Sequence, residues 1–233
     1  MLIRADFHIH ASGDPLDRIR ATPRDVADRA RALGLSCVAI ANHRRFVWDA
    51  DDAAYALRRG VLLVPGIEVN IGGRDVLILN ATAEAEQIRT FDDLRAYRTP
   101  ERLIVAPHPF YPTPYSLREH AEETAEVYDA VEASACYLSW HDQYNRLARE
   151  FAARHNLPVV ANSDAHGLWM MGTCWTEIEA EVFTVAGVVA AVKRGAVTTV
   201  MRPMTLVTLF RFVVVGSLTR SIMRSWARWR RCH

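Results

Sequence analysis

Six segments spread along this chain place a histidine or an acidic residue at or just past the end of a predicted strand, and no other feature constrains the fold as much. The first is Asp6-Phe7-His8-Ile9-His10, which closes an apolar run beginning at Leu2. The others are Asn42-His43, Gly66-Ile67-Glu68, Pro107-His108-Pro109, His141 and Ser163-Asp164-Ala165-His166. On a strand, residues two apart point to the same face, so His8 and His10 are placed to grip one metal ion together. The strand-like runs alternate with helical patterns, which implies parallel pairing. Barrels of parallel strands build their sites at the C-terminal ends of those strands. The pattern predicts an irregular (β/α) barrel, with an open doubly wound sheet as the alternative.

Local signals set the order of elements. Thr22-Pro23 reads as an N-cap followed by proline at the first helical position, and Gly34 stops that helix. Cys37 to Ala41 is a buried strand, and a helix from Asp49 to Arg59 is closed by Gly60. A strand from Val61 continues past Pro65-Gly66 to Glu68, and Gly72-Gly73 turns the chain into Val76 to Leu79. Further helices are expected at Phe91 to Tyr97, Leu117 to Ala125, Tyr144 to His155 and Val185 to Arg194. Further strands are expected at Leu103 to Ala106, Tyr128 to Glu132, Pro158 to Ala161 and Val197 to Val200.

A length of 233 residues, half of them hydrophobic, suits one α/β domain. The charge is unevenly spread: all 27 acidic residues lie at or before Glu181, and nine of the 28 basic residues lie after it. An acidic catalytic part suits cation binding, and a basic tail suits a polyanion or a membrane surface. Cys37, Cys136, Cys174 and Cys232 are scattered singly, which suggests neither a disulfide framework nor a thiolate zinc site. A reducing, cytoplasmic setting is expected, with no signal-peptide pattern at the N-terminus. Lys193 is the only lysine, so Schiff-base chemistry in the acidic part has no candidate.

Histidine and carboxylate ligands together suit zinc, manganese or iron. Glu68 is a plausible bridge, because one carboxylate can bind two ions. Paired divalent ions make hydroxide from water near neutral pH and hold the attacking and leaving oxygens of a phosphoryl group. Asp6 reads either as a partner that orients a histidine or as strand surface. His120 and His155 read as surface residues.

The motifs Asp6-Phe7-His8-Ile9-His10, Ala41-Asn42-His43, Pro65-Gly66-Ile67-Glu68, Ala106-Pro107-His108-Pro109 and Asn162-Ser163-Asp164-Ala165-His166 stand in the order found in the PHP (polymerase and histidinol phosphatase) superfamily, which this chain resembles. The resemblance implies a distorted seven-stranded TIM-like (β/α) barrel and a two- or three-metal site that hydrolyses phosphate esters. It implies that His8, His10, Glu68 and Asp164 carry the chemistry and hold one ion. Glu68 would bridge to a second ion held by His108, and His43 and His166 would belong to a third. The family usually has Asp where Asn42 stands, and its acidic residue after the first motif lies five places past the second histidine, whereas Asp14 lies four past His10. Asp14 is taken into the ligand set on this basis, and His141 as a further ligand to the second ion. Arg44 and Arg45 are candidates to receive the substrate phosphate.

The division expected is a catalytic barrel over residues 1–204 and a basic amphipathic helix or tail over residues 205–233. In the tail Arg220, Arg224 and Arg228 recur every four residues beside Trp226 and Trp229. A helix packed on the barrel, a peripheral membrane helix and a single-strand nucleic-acid contact compete as readings. The function expected is that of a phosphoesterase acting on a small phosphorylated substrate, a nucleotide or a short oligonucleotide. The rivals are a metal-dependent hydrolase of C–N or C–O bonds, which usually wants a bridging lysine, and a non-catalytic metal-binding module.

Overall fold

The structure is a computed structural model that describes residues 1–134 and 142–203. His141 and the basic tail lie outside the described residues, so the readings placed on them stay as expectations. In chain order the elements are β1 (Leu2–Ile9), α1 (Pro23–Ala32), β2 (Cys37–Ile40), α2 (Ala50–Arg58), β3 (Leu62–Ile71), β4 (Arg74–Leu79), α3 (Phe91–Tyr97) and β5 (Leu103–Ala106). They continue with α4 (His120–Glu123), β6 (Ala130–Glu132), α5 (Gln143–Arg154), β7 (Val159–Val160), β8 (Cys174–Glu179), α6 (Val185–Lys193) and β9 (Val197–Met201).

The nine described strands form one sheet in the order β7-β6-β5-β4-β3-β2-β1-β8-β9. The sheet curls until β1 meets the segment that follows β7. His10 N–H donates to Ala165 O, Ala165 N–H donates to His8 O, and Phe7 N–H donates to Asn162 Oδ1. The result is a mixed α/β fold with a nearly closed, barrel-like sheet. The open doubly wound alternative does not describe it.

Pairing departs from the all-parallel expectation. β1, β2 and β3 run parallel, as do β5, β6 and β7, but β4 is antiparallel to both of its neighbours and β8 is antiparallel to β1 and β9. The reason at β4 is chain length. Gly72 and Gly73 form a two-residue hairpin turn with φ of 58° and 88°, and a link that short joins only antiparallel strands. β8 has no counterpart in the sequence reading, because Glu177 and Glu179 weaken its strand signal. The helix expected from Leu117 to Ala125 is reduced to the single turn of α4.

Side chains alternate between two packed faces, as the pleat requires. Ile3, Ala5, Phe7, Cys37, Ala39, Leu77, Leu79, Leu103 and Val105 share one buried cluster with Val188 and Val192 of α6. Val38, Ile40 and Leu63 face the other way and pack with Val26, Ala27 and Ala30 of α1 and Ala56 of α2. α1 starts as expected: Thr22 caps it, with Asp25 completing a reciprocal capping box. Gly66 lets β3 lie close to β2, since a Cβ there would come within 2.8 Å of Ile40 O. Its position brings Glu68 beside the loop that follows β2.

Candidate metal centre

All the predicted site residues among the described ones, apart from the two arginines, gather at the end of the sheet where the parallel strands finish. His8 and His10 stand at the end of β1, His43 follows β2, Glu68 lies within β3, His108 follows β5, and Asp164 and His166 follow β7. The β1–β2 ladder is irregular between Asp6 and Ile9, at the point where the histidines begin, and such irregularities re-aim side chains. His43 and Glu68 are brought opposite one another by an isolated parallel bridge. His108 and Asp164 both sit in left-handed backbone, with φ of 30° and 47°. Non-glycine residues adopt that conformation at a cost, and it clusters at functional sites.

Glu68 is at the centre. Its Oε1 lies 3.4 Å from His8 Nε2 and 3.3 Å from His108 Nε2. Its Oε2 lies 3.3 Å from His43 Nε2 and 3.8 Å from His10 Nε2. Asp164 Oδ1 is 3.5 Å from His8 Nε2 and 3.4 Å from His10 Nε2. The donor atoms thus converge as His8, Glu68 and His108; as His8, His10 and Asp164; as His10, His43 and His166; and as Asp14, Asp17 and His43. His10 stacks against both His43 and His166, at centroid separations of 4.2 and 4.3 Å.

A divalent ion fits this donor set. His8 Nε2, His10 Nε2, Glu68 Oε1, His108 Nδ1 and Glu132 Oε1 are buried side-chain atoms with no hydrogen-bond partner. Buried polar atoms are normally paired, and three of these five are the converging atoms of His8, His10 and Glu68. Nitrogen and carboxylate donors without thiolates suit zinc, manganese or iron.

Charge is strongly coupled here. Burial opposes ionisation of Glu68 and Asp164, but His8 and the other imidazoles nearby hold both carboxyls well below the usual carboxylate range. Burial also opposes charging His8, and Asp164, Glu68 and Glu132 outweigh it, so its pKa lies well above the ordinary value. His10 goes the other way: burial and the neighbouring His166 lower its pKa.

Asp14 stands among the histidines, but its oxygens are already engaged. Oδ2 accepts from His43 N–H at 2.9 Å and lies 3.1 Å from His10 Nδ1 and 2.9 Å from His43 Nδ1. Oδ1 accepts from the amides of Leu16 and Asp17. Asp14 therefore holds two imidazoles with their Nε2 atoms facing inward, and it also converges with Asp17 and His43 as a donor group. Asp17, which the sequence reading passed over, is a second carboxylate on this side. Asp17 Oδ2 is 3.3 Å from His166 Nε2 and 3.9 Å from His43 Nδ1. It follows Asp14 by three residues in an irregular loop, and no local pattern singles it out.

Other readings need adjusting. Asn42 ties down the loop after His10 through Ala11 N–H, Ala11 O and Ser12 O. Asp6 is buried and holds Ser163, accepting from its amide at 3.0 Å and its hydroxyl at 2.6 Å, which fixes the loop that carries Asp164. Burial raises Asp6 to about 7. Glu132, at the end of β6, was read only as the last residue of a strand, yet it is fully buried against His8. Arg44 and Arg45 are exposed beside His43, and Arg44 is in left-handed backbone with its amide donating to Glu68 O. Among the described residues no helix is long and apolar enough to cross a membrane.

Residues 142–197 match the PHP-associated family. No curated protein matches the chain. Among solved structures, the fold resembles a two-domain protein from Bacteroides vulgatus containing a predicted PHP-like metal-dependent phosphoesterase, at 17% identity and a TM-score of 0.69 over 87% of this chain and 65% of that one. It resembles PsfC from Pseudomonas syringae, at 16% identity and a TM-score of 0.67 over 95% and 99%. It also resembles a lesion-specific endonuclease from Pyrococcus furiosus, at 18% identity and a TM-score of 0.58 over 85% and 58%. The chain thus spans just under two thirds of the Bacteroides protein and less of the Pyrococcus one. The likeness to the PHP-associated family thus lies in the segment following β6, and the fold around the ordered ligand motifs is one shared with the PHP-like phosphoesterase structure.

Proposed function

We propose that the protein is a metal-dependent phosphoesterase. The observation that carries this reading is Glu68, whose two oxygens face two separate pairs of imidazole nitrogens, His8 with His108 and His10 with His43. One carboxylate so placed suits two ions a few ångströms apart, the arrangement used on phosphoryl groups. Bound divalent ions would supply Lewis-acid charge for the phosphoryl oxygens and make water a nucleophile near neutral pH.

His8, His10, Glu68 and Asp164 are the residues proposed to carry the reaction, with His108 on the inner ion. His43, His166, Asp14 and Asp17 are proposed for a third ion, with Asp14 also positioning His10 and His43. His141 keeps its proposed place as a further ligand. Arg44 and Arg45, exposed at the rim, are proposed to meet the non-bridging oxygens of the substrate. The absence of lysine before Lys193 disfavours the C–N hydrolase rival, which usually wants a bridging lysine.

The substrate proposed is a phosphate ester of a small molecule, a nucleotide or a short oligonucleotide. The Pyrococcus neighbour is an endonuclease, which supports including oligonucleotides among the substrates tested. A panel of phosphomonoesters, dinucleotides and short oligonucleotides, run with manganese or zinc, tests the reading. Turnover that needs the ion and is lost in Glu68→Gln is expected. Metal-independent turnover, or full turnover in that variant, would overturn it.

A further inference from the structure

We infer that Glu132 is a positioning residue for His8: its carboxylate takes the Nδ1–H of that imidazole, so that Nε2 is the nitrogen presented to a divalent ion. This rests on the reading of His8 as a metal ligand.

Glu132 ends β6 with its side chain wholly buried. Its Oε2 lies 3.0 Å from His8 Nδ1. The same oxygen accepts from Asn162 Nδ2 at 3.0 Å, so it acts as an acceptor. Asn162 is itself fixed. Its Oδ1 accepts from Phe7 N–H at 2.9 Å, its amide donates to Ser134 Oγ at 2.8 Å, and Ser134 Oγ–H donates to Asn162 O at 2.7 Å. The carboxylate is thus held by a network joining the ends of β1, β6 and β7.

A carboxylate taken fully out of water is costly unless a positive or hydrogen-bonding partner compensates it. Among the described residues the ion-pair partner of Glu132 is His8. A carboxylate on one ring nitrogen fixes the tautomer and makes the other nitrogen a better donor to metal. On the far side of the ring, His8 Nε2 is buried, has no hydrogen-bond partner and faces Glu68 and Asp164 at 3.4 and 3.5 Å. The chain Asn162–Glu132–His8 therefore sets the lone pair of Nε2 toward the converging carboxylates.

The test uses the full chain, stripped by chelation and titrated with manganese(II) and with zinc(II). Glu132→Gln keeps the shape and removes the charge. It is expected to bind the same number of ions with about 10–100-fold weaker affinity at the tightest site, and Glu132→Asp to recover part of the loss. In a His8→Ala background Glu132→Gln is expected to cause no further loss, which a merely structural defect would not reproduce. Histidine nitrogen NMR on the zinc-loaded wild type gives a reading that needs no variant, and Nδ1–H on His8 is expected. Unchanged affinity in Glu132→Gln, an additive loss in the His8→Ala background, or a proton on Nε2 would each overturn the assignment. Wild-type protein that takes up neither ion would overturn the metal reading itself, and this inference with it.

Discussion

The two sides of the metal centre are built from the same residue types and differ in how their atoms are satisfied. On the inner side, His8 and Glu68 are 0% and 2% exposed at the side chain, and their facing atoms have no hydrogen-bond partner. On the outer side, His43, Asp17 and His166 are 17%, 30% and 32% exposed. There the imidazole nitrogens already lie close to Asp14 and Asp17. Buried donors with no partner are unfavourable until something binds them, whereas solvated and mutually paired donors are content alone. The inner side therefore depends on an ion more than the outer side does.

The largest effect is expected on the inner side. Glu68→Gln should cost more activity than the roughly 100-fold upper range of outer-shell changes, because it removes charge facing both nitrogen pairs. Elemental analysis should show metal lost together with activity, while thermal unfolding shows a folded protein. Asp14→Asn comes next. It loosens His10 and His43 together, so metal affinity measured by chelator competition should fall by about 10–100-fold. Asp17→Asn should do less: it should lower metal content by one part of the total and leave inner-side binding intact. Equal damage from Asp17→Asn and Glu68→Gln would erase the contrast between the two sides.

The smallest effect concerns stability. Asp75, across from Asn70 and two ladder positions from the Glu68–Leu77 pair, is pushed up to about 7, first by burial and then by the charge of Glu68. A carboxyl with a raised folded-state pKa keeps its proton on folding at low pH, so stability falls as pH rises from the unfolded value near 4 through about 7. In metal-free protein, Asp75→Asn should therefore raise the melting temperature by up to about 10 °C at pH 8 and leave it unchanged at pH 4. A gain at pH 4 as large as at pH 8 would assign the effect to something other than this carboxyl.

The strand-end ligands were legible on both sides. His8, His10, His43, Glu68, His108, Asp164 and His166 each sit at or past the end of an apolar run, and a strand that ends in a polar ligand leaves a pattern in the sequence. Asp17 left none, because it lies in an irregular loop and meets His166 only after the sheet has curled. Glu132 was legible as a strand end, but nothing nearby in sequence says that His8, 124 residues away, is its partner. The parallel runs β1 to β3 and β5 to β7 follow from the alternation of strands and helices. The antiparallel β4 was written in Gly72-Gly73, whose two-residue turn outweighs that alternation. β8 lay hidden because its acidic residues mask a half-buried strand.

Metal-dependent turnover measured against metal count tests the central claim most directly. Chelated wild-type protein would be titrated with manganese(II) while hydrolysis of a phosphomonoester and of a dinucleotide is followed. The account predicts no turnover without the ion, turnover that rises as the inner sites fill, and no such rise in Glu68→Gln. Turnover already complete before any ion binds, or filled inner sites with no hydrolysis of any phosphate ester, would contradict it.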